Sequence, residues 1–393
     1  MTASKIFIPI WTNDICHLGV IRSLGMQNLP IHSLKITWPG MPQTFSQYSI
    51  FFSKHTDIGN PLADLKNSLK KAKSVYDRLK KDYRKIIFIP TSDTAQIFLE
   101  HLLDFLSLDP KSAYPTGKLG IYQNYSNKIY HEKLFAKLSS LDSLNTTIED
   151  NIFPMILKPA KKDLGNSFSR LCGSKVKIIN DYHDLETFKT DKPDLKNFIY
   201  QKIVNWHDYD ERPHYFFFST GDLKFSIAVE KKLIYPSPFG TSYFLNFENP
   251  NEKILEIAKD IGRNLKWNGP LMIEFAIGKS TKPTIIEMNT RPWLLNESFR
   301  QVGYDFITGN FQDRVSRNLS NLSAIWIRGL CALIQAGLSP KMIIEQTFES
   351  IGCRKILDAD FLVQDPIPFE QSIKYYQTDS KCSGFIDEIL SIL

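Results

Sequence analysis

The sequence lacks the features that mark secreted, metal-stabilised and membrane proteins. Its five cysteines are scattered along 393 residues with no C-x-x-C pair, which argues against a disulfide framework and a structural zinc site. The apolar run at the N-terminus alternates like a strand rather than forming a signal peptide. Residues 322–338 are apolar but contain Arg328 and are too short to span a bilayer comfortably, so we expect a buried helix there. These absences predict a cytoplasmic protein without a membrane span.

Charge is nearly balanced over most of the chain. The formal net charge is +6, but residues 66–85 hold nine Lys or Arg against two Asp, which leaves −1 for the rest. Apolar side chains recur at helical spacing through residues 62–79. An amphipathic helix with a solvated basic face is therefore favoured over a nucleic-acid patch, and we expect no nucleic-acid partner.

Short apolar strands alternate with helices over the first part of the chain. KIFIPI, IHSLKI and KIIFIP are typical of strands, whereas HLGVIRSLGMQN, residues 62–79 and AQIFLEHLLDFL are typical of helices. This alternation predicts an open, mostly parallel sheet, in which ligands lie beyond the carboxyl ends of the strands. Asp14, Ser92 and Asp93 follow two such ends. Capping of the next helix would explain Asp14 and Asp93 about as readily as ligand binding.

Composition then divides the chain. Turn residues cluster at 109–118, and a smaller unit follows with a helix at 127–138, strands at MILKPA, VKII and NFIYQKIV, and a polar loop at 161–170. Strands dominate from 206 to about 305, and the remainder is mostly helical to about 352 and then irregular. We predict four units: residues 1–112, 113–205, 206–310 and 311–393.

A β-hairpin near residue 280 carries the residues best suited to chemistry. Residues 271–277 and 283–291 read as two strands joined by a loop with glycine and proline. Side chains alternate between the two faces of a strand, which sorts Glu274 to one face of the first strand. Glu287 and Asn289 likewise share one face of the second strand, opposite its apolar side chains.

The register of this hairpin predicts a cation site. If Ile277 lies opposite Thr284, Glu274 lies opposite Glu287. Directly opposed carboxylates repel each other and need a cation or a proton. Two carboxylates and an amide oxygen suit Mg²⁺ or Mn²⁺ completed by phosphate and water. Arg291 on the same face suits a bidentate phosphate contact.

A solvated sheet face is the alternative interpretation of these residues. In that case both glutamates lie in water and Arg291 pairs with one of them. Alternation alone does not separate the two interpretations. The apolar opposite face, and a strand that ends at Pro292 without an ordinary turn, favour the cation site.

Several ordered motifs resemble those of the ATP-grasp superfamily, and in particular its carboxylate–amine ligase branch, which includes D-aspartate ligases. The motifs of the ATP-grasp domain are YSNKIYHEKL, FPMILKP, FIYQKIVNWHD, and GPLMIEFAIG with TIIEMNTRP. Two earlier segments, HLGVIRSLG and PTSD, resemble the domain that precedes the ATP-grasp domain in this branch. The resemblance spans roughly residues 5–300. It implies an α/β protein with a Rossmann-like N-terminal domain, a two-subdomain ATP-grasp fold and a mainly helical C-terminal extension.

The resemblance also implies an ATP site. By position, the loop at 161–170 would cover the phosphates. The residues implied are Lys128 and Lys158 for the phosphates, Gln201, Lys202, Ile203 and Asp208 for adenine and ribose, and Glu274, Glu287 and Asn289 for Mg²⁺ or Mn²⁺. Lys231 or Lys232 would reach the γ-phosphate; alternation sends them to opposite faces, so only one can do so. We take Lys231 and Arg291 as the catalytic pair.

A ligase is the reaction that these residues imply. A carboxylate would attack the γ-phosphate, and an amine would then displace phosphate from the acyl phosphate, with positioning and charge neutralisation as the catalysis. The acceptor would lie between the hairpin and Asp14, Ser92 and Asp93. A kinase and a nucleotide-binding regulator without turnover are the alternatives. The expected partners are a small-molecule carboxylate and an amine; the oligomeric state is open, with a homodimer among the options.

Overall fold

The computed structural model describes most of the chain. The described residues are 3–12, 14–41, 43–118, 128, 145–146, 150, 152–160, 168, 172, 176–191, 198–203, 209–235, 240–278, 282–312, 316–351 and 354–391.

Four parallel strands form the first sheet, in the order β3-β2-β1-β4. The elements are β1 (Ala3–Trp11), α1 (Asp14–Gly25), β2 (Ser33–Ile36), β3 (His55–Gly59), α2 (Leu65–Leu79), β4 (Tyr83–Pro90) and α3 (Asp93–Leu106). Side chains of β1 alternate, so that Ile6, Ile8 and Ile10 pack with α2 and α3 while Phe7 packs with α1. The predicted parallel sheet is confirmed. The sequence did not reveal β3, whose HTDIG has a single buried aliphatic residue.

An antiparallel four-stranded sheet follows, in the order β5-β8-β6-β7. Its elements are β5 (Asn145–Thr146), β6 (Met155–Pro159), β7 (Lys177–Ile179), α4 (Tyr182–Asp191) and β8 (Phe198–Lys202). Met155, Leu157 and Ile179 form a small core with Leu185 and Phe188 of α4. The three strands predicted here are confirmed. The helix predicted at 127–138 lies, apart from Lys128, outside the described residues.

A seven-stranded sheet dominates the second half, in the order β13-β12-β9-β10-β11-β16-β17. Its elements are β9 (Tyr209–Ser219), β10 (Asp222–Tyr235), β11 (Thr241–Glu248), α5 (Glu252–Leu265), β12 (Gly269–Gly278), β13 (Thr284–Asn289), β16 (Leu322–Ile325) and β17 (Lys355–Asp358). Apolar residues of α5 cover one face of the sheet, against Phe216, Phe218 and Ile273. The other face is therefore the one left for the remaining structure and for ligands.

The last part of the chain is mainly helical, as predicted. It contains α6 (Asn296–Gln301), β14 (Tyr304–Asp305), β15 (Asn310–Phe311), α7 (Ile327–Gln335), α8 (Pro340–Ile351), α9 (Ile367–Gln377) and α10 (Ser380–Leu390). The single helix predicted over 322–338 is wrong, because β16 precedes α7; a short apolar run does not distinguish strand from helix. The irregular end predicted after 352 is also wrong, since β17, α9 and α10 occupy it. Among the described helices, none is long and apolar enough to cross a membrane.

A buried ion pair joins this last part to the first sheet. Nε of Arg22, on α1, lies 2.8 Å from Oδ2 of Asp365, and both side chains are inaccessible to solvent. Arg22 also donates to the carbonyl oxygens of Asp360 and Asp365, at 2.6 Å each. Ser49 donates to the same Asp365 carboxylate. Removing either partner alone would leave an uncompensated buried charge, so the contact between the C-terminal segment and the N-terminal domain requires both side chains.

Stability of the large sheet should depend on pH through His214, a buried residue of β9. Burial lowers the pKa of His214 from 6.5 to about 4. The unfolded chain therefore takes up this proton near pH 6.5 and the folded chain only near pH 4. As the pH falls from about 6.5 to about 4, the free energy of unfolding should therefore decrease by roughly 3 kcal/mol because of this residue.

Urea denaturation of wild type and His214→Leu at pH 7 and pH 4 measures this effect. The free-energy difference between the two proteins should change by about 3 kcal/mol between the two pH values. His101→Leu, on the exposed face of α3, is the control and should leave the wild-type pH dependence unchanged. A pH-independent difference for His214→Leu would show that the imidazole does not carry the effect.

Candidate active site

The hairpin of β12 and β13 places two carboxylates directly opposite each other. Glu274 pairs with Glu287, which confirms the predicted register at this point. The predicted pairing of Ile277 with Thr284 is wrong, because Thr284 lies opposite Ala276. A bulge between Glu274 and Phe275 shifts the register by one residue beyond the glutamates. Such an extra residue bends the strand locally without disturbing the pairs before it.

Lys231 is the lysine that reaches this pair. Its ammonium forms an ion pair with Oε1 of Glu274, and both side chains are largely buried. The neighbouring Lys232 instead pairs with Glu230 at 2.7 Å and is exposed. The two lysines therefore point to opposite faces, as alternation predicts, and Lys231 is the one that contacts Glu274.

Arg291 follows β13 and extends the charged cluster towards the first sheet. Its Nε donates to Oδ1 of Asp93 at 2.6 Å, and Nη1 donates to the carbonyl oxygen of Pro292 at 3.1 Å. Burial opposes the charge of Arg291, but the nearby Asp93 carboxylate raises the pKa of the guanidinium above its usual range. The guanidinium is thus charged and is fixed from one side.

The carboxyl end of β4 and the start of α3 complete this contact. Ser92, rather than the predicted Asp93, is the N-cap of α3, because its Oγ accepts from the Ala95 backbone N–H at 3.1 Å. This geometry leaves the Asp93 carboxylate for Arg291. Thr12, at the end of β1, donates to Ser92 Oγ at 2.6 Å. The ends of β1 and β4 are therefore linked to each other and, through Asp93, to the hairpin.

The beginning of α1 lies near the same cluster. The helix begins at Asp14, but the side chain of Asp14 lies outside the described part of the structure. Cys16 is close enough to Arg291 and Asp93 for their charges to act on its thiol. Burial, the larger influence, raises the pKa of Cys16 to about 11, so the thiol stays protonated at neutral pH. Cys16 therefore acts as a small buried side chain behind the arginine rather than as a nucleophile.

Tyr215 belongs to the cluster but was not predicted from the sequence. It lies on β9 opposite Met272 and packs edge-on against Trp293. Burial raises the pKa of its phenol, and the Glu274 charge acts in the same direction. The only available signal was a single hydroxyl within a run of phenylalanines that otherwise reads as core.

The residues expected to bind the nucleotide lie in the small sheet. Lys158 pairs with Ile199, and Gln201, which is buried, pairs with Ile156. The Lys128 backbone N–H donates to the carbonyl oxygen of Ala160, two residues beyond Lys158, at 2.8 Å. This bond brings the segments of the two predicted phosphate-binding lysines together.

The rest of the predicted nucleotide site is only partly described. Lys202 ends β8 opposite Met155 and is exposed, and Ile203 follows it. Asp208 and most of the loop at 161–170 lie outside the described residues.

The hairpin cluster has a donor set that fits a magnesium ion bound with phosphate. Three carboxylates (Glu274, Glu287 and Asp93) and two basic groups (Lys231 and Arg291) give it a net negative charge. Asn289 adds an amide on the same strand face as Glu287. In the part of the chain that the structure describes, no three His, Cys, Asp or Glu side chains are grouped to hold a metal. A cation would therefore be held by two carboxylates and an amide and completed by ligand oxygens, as magnesium commonly is.

Solved structures share this architecture, although no protein-family model matches the sequence and no curated protein does either. An L-amino acid ligase from Bacillus licheniformis aligns over 81% of this chain and 74% of its own, with 14% identity and a TM-score of 0.52. N5-carboxyaminoimidazole ribonucleotide synthetase from Thermus thermophilus aligns over 77% and 76%, with 12% identity and a TM-score of 0.55.

A third similar structure contains a nucleotide. The biotin carboxylase domain of 2-oxoglutarate carboxylase from Hydrogenobacter thermophilus, solved with MgADP and bicarbonate, aligns over 78% of this chain and 68% of its own. Its identity is 12% and its TM-score 0.53. The chain thus has the ATP-grasp fold that its motifs predict, with a Rossmann-like domain in front and a mainly helical extension behind.

Proposed function

We propose that the chain is an ATP-dependent ligase that joins a carboxylate to an amine and releases ADP and phosphate. The observation that carries the proposal is the opposed pair Glu274 and Glu287, with Lys231 on one carboxylate and Arg291 two residues after Asn289. This arrangement combines a cation site with two fixed positive groups. Such a combination suits the charge that develops when a phosphoryl group is transferred.

In this proposal the small sheet binds the nucleotide and the hairpin binds the metal. Lys128 and Lys158 contact the phosphates, and Gln201, Lys202, Ile203 and Asp208 contact adenine and ribose. Mg²⁺, or Mn²⁺, held by Glu274, Glu287 and Asn289, would neutralise phosphate charge. The MgADP complex of the similar biotin carboxylase domain supports a magnesium nucleotide as a ligand of this fold.

Lys231 and Arg291 are the groups that we assign to catalysis. Lys231, held on Glu274, contacts the γ-phosphate, and Arg291, oriented by Asp93, stabilises the transferring group. The substrate carboxylate attacks phosphorus, the bond to ADP breaks, and an acyl phosphate forms. The amine then attacks the acyl carbon, phosphate leaves, and the amine loses a proton. The acceptor lies between the hairpin and the ends of β1 and β4, near Asp14 and Ser92.

Product analysis tests the reaction. Purified protein with Mg·ATP is incubated with pools of carboxylic acids and amines, singly and together, and ADP, free phosphate and the condensed product are quantified by chromatography and mass spectrometry. A ligase should release ADP and phosphate in equal amounts with an amide when both substrates are present. With a carboxylate alone, hydroxylamine should trap the acyl phosphate as a hydroxamate.

The same measurement separates the other candidate functions. A kinase would make ADP and a phosphorylated acceptor without an amine and without free phosphate. A regulator would bind nucleotide and produce no ADP with any pool. Either result would exclude the ligase reaction.

A further inference from the structure

A lysine and a tryptophan meet at the carboxyl ends of β1 and β2, outside the cluster assigned to ATP. Trp11 and Lys35 are the last registered pair of these parallel strands, and their side chains lie on the face covered by α1. Lys35 Nζ lies 4.9 Å from the centre of the Trp11 ring. Its one hydrogen bond within the described structure is to Thr44 Oγ1, at 3.3 Å.

Asp57 of β3 is the register partner of Lys35, but its carboxylate accepts from Thr37 Oγ1 and the Gly59 N–H. Lys35 is half-buried, yet it forms no ion pair with any carboxylate in the described part of the chain. A partly desolvated ammonium over an aromatic face is stabilised by cation–π attraction but still gains from an anion. This lysine therefore differs from Lys231, which forms an ion pair with Glu274.

Trp11 supplies a second donor without an acceptor. Its ring is 1% exposed, and among the described residues no atom accepts its indole N–H. The ring is held firmly, because His17 stacks on it with ring centres 4.3 Å apart, and Ser33 and Ser46 bond both nitrogens of that histidine. Buried donors nearly always have a partner, so one left without an acceptor in a fixed ring is consistent with a ligand contact.

This pair lies close to the proposed acceptor. β1 continues from Trp11 to Thr12, which bonds Ser92, and the next residue, Asp93, holds Arg291. Neighbouring strands are about 4.8 Å apart, and two such spacings separate β2 from β4 across β1. The end of β2 is therefore roughly 10 Å from the end of β4 along the sheet edge.

We propose that Lys35 and Trp11 form an anion-binding subsite for a carboxylate that the acceptor carries in addition to its reacting group. One ammonium and one neutral indole donor match a singly charged carboxylate better than a dianionic phosphate. The acceptor is then a compound with two acidic or polar ends, one directed to Arg291 and one to Lys35. This inference rests on the proposed ligase function for the identity of the ligand, but the subsite is testable without turnover.

Direct binding is measured with glutarate, which has two carboxylates, and butyrate, which has one on a chain of similar length. Thermal unfolding of the full chain is followed with each probe at about 1–20 mM, because a small subsite should bind with Kd on the order of millimolar. Glutarate should raise Tm of the wild type, and butyrate should do so much less. In Lys35→Met the glutarate shift should disappear, while Lys35→Arg, which keeps the charge, should retain most of it.

Lys5→Met is the matched control. Lys5 also lies over an aromatic ring, that of Phe7 at 4.5 Å, but at the amino end of β1, away from the proposed acceptor. The Lys5→Met variant should keep the full rise of Tm with glutarate. This result would separate the loss of a cation–π contact from the loss of an anion site. An equal loss in Lys5→Met, or a normal shift in Lys35→Met, would overturn the subsite. A shift with 3-phosphoglycerate and none with glutarate would overturn its assignment to a carboxylate.

Turnover gives an independent result. With an acidic substrate found in the product screen, Lys35→Met should raise KM for that substrate about 10-fold or more, with KM for ATP and kcat little changed. Trp11→Phe, which removes the indole N–H together with one of the two fused rings, should raise this KM a few-fold. If no substrate is turned over, the ligase proposal fails, whereas the glutarate titration still decides whether the subsite exists.

Discussion

Glu287→Gln should abolish ATP turnover while the protein remains folded. The amide keeps the shape of the side chain but removes one of two opposed negative charges at the cation site. Loss of a metal ligand, together with the charge stabilisation that it provides, should lower kcat on the order of 10³-fold or more. ADP release under saturating Mg·ATP and substrates is the measurement.

Stability distinguishes this loss from unfolding. Like charges directly opposite each other destabilise a sheet, so Glu287→Gln should leave Tm unchanged or slightly higher. Glu230→Gln is the matched control, since Glu230 lies on β10 and pairs with Lys232 away from the cluster. It should keep wild-type turnover. Full activity of Glu287→Gln would remove the hairpin from the proposed mechanism.

Much of this site followed from local patterns. Alternation along two strands, together with an assumed register, predicted Glu274 opposite Glu287; the pair is present although the Ile277–Thr284 pair that set the register is not. The bulge after Glu274 was not predictable, since an extra residue leaves the alternation of each single strand nearly intact. Alternation likewise separated Lys231 from Lys232 but could not choose between them, because the choice depends on which side chains of β10 lie on the same face of the sheet as Glu274.

Contacts between distant segments were beyond local patterns. Arg291 and Asp93 are separated by 198 positions, and Arg22 and Asp365 by 343. Each pair depends on how sheets and helices pack after they have formed, which one sequence does not specify. The tail segment that contains Asp365 therefore showed no role in the sequence. The strand β3 was missed for a different reason, because its alternation of apolar and polar residues is weak, with a single buried aliphatic side chain.

Arg291→Lys should lower kcat about 10²- to 10³-fold, with a smaller effect on KM for ATP. Lysine keeps the positive charge but lacks the planar guanidinium. In Arg291, Nε bonds Asp93, and the rigid group thereby fixes the direction of its remaining N–H donors. Loss of one oriented donor to a developing charge has costs of this size. Steady-state kinetics with ATP and the substrates from the product screen give both constants.

Asp93→Asn tests how that orientation is achieved. If Asp93 acts only by fixing Arg291, the single variant should lose about 10-fold in kcat, and Asp93→Asn/Arg291→Lys should be hardly worse than Arg291→Lys alone. If Asp93 instead contacts the acceptor, as the sequence also allows, the two losses should multiply and KM for the acceptor should rise. The exposed pair Arg263 and Asp260 on α5 provides the control double variant, which should retain wild-type kinetics. Non-additive losses in the first pair and none in the second would establish that Asp93, at the start of α3, acts on catalysis through Arg291.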